Sequence, residues 1–503
     1  MTKNSKYLIL LAVLYFTLSL VGILHHELWL DEAHHWLIAR DSTSLSDLVK
    51  NTRHEGHPIL WNVLLYWISR FTHNPFWMQF LHILISTTAV VVFLKKAPFT
   101  WLFKTLFVFG YFMLFEYNLI SRNYILGVLF LFIACSFFSE RKVKFNLIAV
   151  FLALAINTHV LFTVIALALF VVLLFEQFQE KKLGRREFFF GYIIFGIGVL
   201  LFLIQMQTTK SEWLLNSYET VPVYEKLTKG FISLFKGVFI VPDFRTIHFW
   251  NSNLFVNLSK PLTSILGLLI YLLPLFLFLK NKKTLLFVYI ALFGIQIFFF
   301  VTQRGGARFD GSTYIILIIA LWIEHYYPVE LLKLKNFSIL KRTTLFKKPI
   351  LYSILTIHFC SGMYAYTMDY KFPFTSSKAA VGFLKEMHLK TKEIVTISCD
   401  GTAISPYLEK KVYFLCKDSY QSYCHWDLSC AKNVTKSQII PMLISYLEFN
   451  KEAVYVSNYP IGNYFKKDEW ITLNGKIKIK FLKSFEGSIK QDANYFIYTV
   501  LKI

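Results

Sequence analysis

Apolar positions in this chain do not recur every three or four residues, as on the inward face of a soluble helix. They run in unbroken blocks such as YLILLAVLYFTLSLVGIL (7–24) and ILGLLIYLLPLFLFL (265–279). A helix rises 1.5 Å per residue, so blocks of about this length span a hydrocarbon layer roughly 30 Å thick. The pattern predicts eleven spans, at 7–24, 76–94, 99–116, 121–138, 145–158, 160–176, 188–205, 262–279, 284–301, 313–327 and 349–366. The stretch PILWNVLLYWISRF (58–71) is apolar but short. It predicts a helix lying on the membrane surface within a long first external loop, 25–75, and residues 206–261 form a second external region with amphipathic pieces. After residue 366 the pattern changes. FTSSKAAVGFLKEMHLK reads as a helix, and EIVTISCD and KKVYFLC read as strands. The expectation is a polytopic α-helical membrane protein. Residues 1–366 form its transmembrane domain and 367–503 a small extracytoplasmic α/β domain.

Of the 503 residues, 55% are hydrophobic and 17% charged, against about a quarter charged in soluble domains. The net charge of +22 raises the question of nucleic acid. Its placement excludes that class, because twenty Lys and Arg residues sit in six short gaps between apolar blocks, at 3–6, 95–96, 141–144, 181–186, 280–283 and 333–348. The positive-inside rule puts those gaps in the cytoplasm. The N-terminus is then cytoplasmic and the C-terminal domain outside. The first apolar block is not followed by a small-residue cleavage site and is expected to remain as a helix. Four of the six cysteines, Cys399, Cys416, Cys424 and Cys430, fall in the external domain, where an oxidising compartment permits disulfides without fixing their pairing.

This threading gathers the unusual polar residues on the external face. They are Asp31, Glu32, His34 and His35; RHEGHP (53–58), with His54 and His57; FEYNLISRNY (115–124), with Glu116, Arg122 and Tyr124; His159; and QRGGARFDG (303–311), with Arg304 and Arg308. Ionisable groups at membrane depth point to function. On a helix Asp31 and His35 share a face, and a carboxylate there could serve as a general base, or hold a divalent cation together with Glu116. An arginine fork suits phosphate, and the Gly305–Gly306 pair lets backbone approach a ligand. Each segment also has a plain reading: a solvated interfacial helix, an internal Glu116–Arg122 ion pair, a tight turn, a helix-capping histidine. The zinc-protease pattern H-E-x-x-H fails at Leu30.

The order of these motifs resembles the GT-C superfamily of membrane glycosyltransferases, in particular the bacterial dolichyl-phosphate-mannose-protein mannosyltransferase and aminoarabinose-transferase-like group. The matching residues are Asp31-Glu32 after the first span, His57-Pro58 opening the surface helix, and Glu116 with Arg122-Asn123-Tyr124. Many relatives carry Pro-Pro-Leu where this chain has His57-Pro58-Ile59. The resemblance implies an inverting enzyme of the bacterial cytoplasmic (inner) membrane. It moves a sugar from a polyprenyl-phosphate donor to a lipid, glycan or protein acceptor at the outer face. Asp31, Glu32 and Glu116 would be catalytic, and Arg122, Tyr124, Arg304 and Arg308 would bind the donor phosphate. His35, His54, His57 and His159 would support substrate or structure. A divalent cation, Mg2+ or Mn2+, on Asp31 and Glu116 is left open. Two other classes stay in view: a transporter or flippase of a lipid-linked glycan, and a non-catalytic scaffold.

Overall fold

All eleven predicted spans fall on helical segments of the structure, a computed structural model that describes residues 3–207, 221–302, 305–328, 346–397, 399–425, 436–462 and 469–503. Among the described residues, six segments are long and apolar enough to cross a membrane: Asn4–His25, Phe76–Lys96, Val160–Gln179, Arg186–Gln207, Lys260–Phe278 and Lys282–Thr302. Shorter apolar helices pack among them. The chain is a polytopic helical membrane protein with a small C-terminal sheet domain.

Helix α1 (Lys3–His25) is 23 residues, about 35 Å long. It leads into α2 (Leu30–Asp41), α3 (Leu45–Asn51) and α4 (Leu60–Ser69) of the first loop. Helix α4 is the predicted surface helix. Its Trp61 and Leu65 pack against Trp36 and Leu37 of α2, forming a small core separate from the main transmembrane one.

The predicted span 99–116 is not a continuous helix. Helix α6 (Trp101–Val108; α5 is Phe76–Lys96) ends before Gly110, and the chain resumes as a π-helical turn, Phe112–Glu116. Such turns are uncommon and gather at functional sites. The last long helix, Lys347–Lys371, crosses here, and a Cβ on its Gly362 would lie 2.7 Å from the carbonyl oxygen of Phe109. Only glycine permits that approach. The predicted span 313–327 is a helix that starts earlier, Ala307–Glu324. Gly306, with φ of 132°, turns the chain into it, and the Asn251 side-chain oxygen accepts the Ala307 N–H at 2.8 Å. The early start carries Arg308 and Asp310 on the first helical turn.

The C-terminal domain is a seven-stranded mixed sheet in the order β3-β2-β1-β4-β7-β6-β5. The strands are β1 (Ile394–Thr396), β2 (Val412–Phe414), β3 (Ser419–Gln421), β4 (Glu452–Ser457), β5 (Trp470–Leu473), β6 (Ile477–Phe485) and β7 (Tyr495–Lys502). Strand β1 runs parallel to both neighbours, with Val395 beside Tyr413 and Tyr455, and the other pairs are antiparallel. Apolar clusters cover both faces of the sheet. Cys399 and Cys424 are joined in a disulfide, and Cys430 lies outside the described residues. Cys135 and Cys360, within predicted spans, are free thiols.

Candidate active site

The first turn of α2 is built by one carboxylate. Glu32, fully buried, accepts the Trp29 N–H at 3.1 Å with Oε2, closing the helix start on itself. Its Oε1 accepts the Ser121 N–H at 2.6 Å. His26 donates to Oε2 at 3.1 Å, and its other ring nitrogen lies 2.9 Å from Asp369 at the end of the last long helix. Burial alone would lower the His26 pKa. The two carboxylates outweigh it and push it up to about 10. Four segments thus meet on Glu32: the end of α1, the start of α2, the loop before Tyr124, and, through His26, the last helix. His82 of α5 pins the same loop, its ring between the carbonyls of Asn118 and Arg122, 2.9 Å from each.

The C-terminal domain closes on the stretch before α2. The Glu27 carboxylate accepts the Lys378 N–H at 3.0 Å, and burial pushes its pKa up to about 7. Leu28 donates its N–H to Tyr407 at 3.0 Å, and the Thr375 hydroxyl donates to the Leu28 carbonyl at 3.1 Å.

With Glu32 fixed, Asp31 meets two cations. Arg122 Nη1 stands 2.5 Å and Arg308 Nη2 3.5 Å from its Oδ2. Burial would raise the Asp31 pKa, but the two guanidinium groups prevail and hold it below the usual carboxylate range. Its side chain keeps 20% of its exposure, so solvent reaches it. Three cations surround the Trp29 ring, with Arg308, Arg122 and Lys490 at 5.0, 5.9 and 5.9 Å from its centre. Lys490 comes from the C-terminal domain. Trp29 meets Trp250 edge to face at 5.0 Å, and the Trp250 indole N–H donates to Glu116 at 3.0 Å. Tyr117 donates to the Arg308 carbonyl at 2.8 Å and stacks on Tyr124, 5.7 Å between rings. Lys490 is itself paired with Asp492, so Asp31 and Asp492 face three cations, which leaves an excess of one positive charge. Such a site suits a phosphate ester beside an ionised base.

The histidines form a neighbouring group. His35 donates from Nδ1 to Asn62 at 3.2 Å, and His34 and Glu55 are paired at 2.6 Å. The His57 ring lies 4.9 Å from His35 and 6.1 Å from His159. His159 caps α9 (Val160–Gln179; α7 is Tyr124–Ser136 and α8 Phe145–Ile156) by accepting the Leu161 N–H at 3.2 Å, and its ring is 4.7 Å from Tyr124. His54 is half-buried on the turn that carries Glu55 and His57. Arg304 lies outside the described residues.

Asp31, Arg122 and Arg308 are therefore brought together, with Glu116 joined to them through Trp250 and Trp29. Glu32 faces the protein interior as a clamp. As for the cation left open on Asp31 and Glu116, the first carboxylate is held by arginines and the second by an indole. His35, Glu55 and His57 instead offer three donor atoms within 4.8 Å of one another. Sequence reasoning missed His26, His82, Trp250, Asp369 and Lys490. Two carried a usable signal: Asp369 stands just past the last span, and His82 is an ionisable group inside one. Trp250 and Lys490 carried none, being ordinary residues of long connections.

No protein-family model matches the sequence, and no curated protein does. Among solved structures, the chain resembles ArnT from Cupriavidus metallidurans bound to undecaprenyl phosphate. The TM-score is 0.51 over 98% of each chain, at 9% identity. The apo state of the same protein gives a TM-score of 0.44 at 11% identity, over 91% of this chain and 93% of that one. The first likeness establishes the fold: over 98% of its length this chain shares the architecture of that solved structure.

Proposed function

We propose that this protein is an inverting glycosyltransferase that moves a sugar from a polyprenyl-phosphate carrier to an acceptor hydroxyl at the outer face of the cytoplasmic membrane. The observation that carries the reading is Asp31 set between Arg122 and Arg308 at the Trp29 ring. The fold adds support, since its solved counterpart is bound to undecaprenyl phosphate.

The chemistry follows from the charges. An incoming donor phosphate competes with Asp31 for the two arginines and frees the carboxylate. Asp31, its pKa held low, is ionised at neutral pH and takes the acceptor proton as the hydroxyl oxygen attacks C1. The C1–O bond to the phosphate breaks on the opposite face, and the electron pair leaves with the phosphate. Arg122, Arg308 and Lys490 stabilise the charge that grows there. Glu116, held by Trp250, fixes the indole pair that forms the wall beside Arg308. With the twenty basic residues in the gaps on the cytoplasmic side, this site lies at the outer face. The reading places the protein in the bacterial inner membrane, one location that supplies such a carrier.

Purified protein in liposomes with a radiolabelled polyprenyl-phosphate sugar and a crude envelope acceptor fraction tests the reading. Label passing from carrier to acceptor with release of polyprenyl phosphate is expected. Movement of intact labelled lipid between leaflets without cleavage at C1 would replace this reading with a flippase.

A further inference from the structure

We propose that His35, Glu55 and His57 form a binding site for a zinc-class divalent metal ion, with one coordination position open. The three side chains come from two separate pieces of chain. His35 stands on α2, and Glu55 and His57 on the turn before α4. The fold brings their donor atoms within 4.8 Å of one another. Zinc bonds to nitrogen and oxygen of about 2.0–2.2 Å in a tetrahedral site separate ligand atoms by roughly 3.4 Å. Small side-chain rotations close the remaining gap.

Two further observations show two of the three donors held as ligands are. His35 gives its Nδ1–H to the Asn62 side-chain oxygen at 3.2 Å, which fixes the tautomer and turns the Nε2 lone pair away from Asn62. Glu55 is held through Oε1 by His34 Nε2 at 2.6 Å, and a carboxylate so anchored still has its second oxygen to offer. Outer partners of this kind accompany metal-bound histidines and carboxylates. Two imidazoles and one carboxylate suit zinc better than magnesium or calcium, which take oxygen ligands. Three protein ligands leave a fourth position for water or a substrate oxygen. Arg122 is the nearby opposing charge, and its pairing with Asp31 offsets it. The proposed ligands include none of Asp31, Arg122 and Arg308, so the site stands or falls independently of the transferase reading.

The test uses the full chain, purified through a tag that contains no histidine, stripped with chelator and titrated with Zn2+ alone. Bound zinc is counted by elemental analysis, and Co2+ in its place reports geometry by visible absorption. The expected result is one zinc per chain, a zinc-dependent rise in melting temperature, and intense low-symmetry cobalt bands. His35→Ala, Glu55→Gln and His57→Ala should each weaken binding more than tenfold. Asn62→Ala should weaken it by about 10–100-fold. His388→Ala, on an exposed position of the C-terminal domain, should bind as the parent does. A parent protein that takes up no stoichiometric zinc and shows no melting shift would overturn the proposal, whatever the variants do. Equal binding by parent and ligand variants would overturn it too.

Discussion

Replacing Glu32 with glutamine separates a structural carboxylate from a reacting one. The side chain has no exposure and satisfies three donors at once: the Ser121 N–H at 2.6 Å, the Trp29 N–H at 3.1 Å and His26 at 3.1 Å. The amide keeps one accepting oxygen. Its NH2 group must then face either a backbone N–H or the His26 ring, and the His26 charge loses one of its two partners. Hydrogen bonds to charged groups contribute about 1.5–3 kcal/mol each. Removing one member of a buried ion pair costs about 3–5 kcal/mol. These overlap, so the expected loss is about 3–5 kcal/mol in total. It concentrates where α1, α2, the Ser121 loop and the last helix meet. Thermal unfolding in detergent at pH 7, followed by tryptophan fluorescence, should show a clearly lowered transition. Transfer per folded molecule should fall far less than it does for a change at Asp31. An unchanged transition with abolished transfer would refute this and make Glu32 part of the chemistry.

Three further outcomes are expected. His26 has its pKa raised from 6.5 to about 10 in the folded chain, so its ion pairs stabilise fully below pH 6.5 and are lost as pH rises through 10; the melting temperature of the parent should fall more steeply across that window than that of His26→Gln. The Cys399–Cys424 disulfide closes a loop with a sequence separation of 25, and Cys399→Ser with Cys424→Ser should cost about 2–4 kcal/mol of stability, while unreduced peptide mapping should find the two cysteines linked. Single cysteines introduced at 141–144 or 280–283 should react with impermeant reagents only from the cytoplasmic side, and ones near 27 or 490 only from outside; a C-terminal domain labelled from the cytoplasm would overturn the sidedness.

Much of the fold was legible because membrane helices announce themselves one segment at a time. Residues 7–24 or 284–301 need no partner to be read, and α4 was separable from a crossing by counting the charge of Lys95 and Lys96. The break at Gly110 was not legible. The apolar run continues through it, and the helix that packs there, with Gly362 against Phe109, comes some 250 residues on. The site was half legible for a related reason. Asp31, Arg122 and Arg308 stand out as charges at span boundaries, so composition alone flags them. The division of labour between Asp31 and Glu32 depends on which way each side chain turns from α2. Ser121, His26 and Asp369 decide that, and only the folded chain assembles them. Lys490 reaches Trp29 from a domain whose sequence shows no sign of it.

The most direct measurement is single-turnover transfer from a polyprenyl-phosphate sugar by the parent, Asp31→Asn and Arg122→Lys, each confirmed folded and inserted, with donor binding measured in parallel. Asparagine keeps the shape at 31 and cannot take the proton, so transfer should slow by about 10²–10⁴-fold while the donor still binds. Lysine at 122 keeps the charge but loses the paired geometry, so donor affinity or departure of the phosphate should weaken. If Asp31→Asn transfers sugar at the parent rate with donor binding intact, Asp31 is not the base and the active site lies elsewhere.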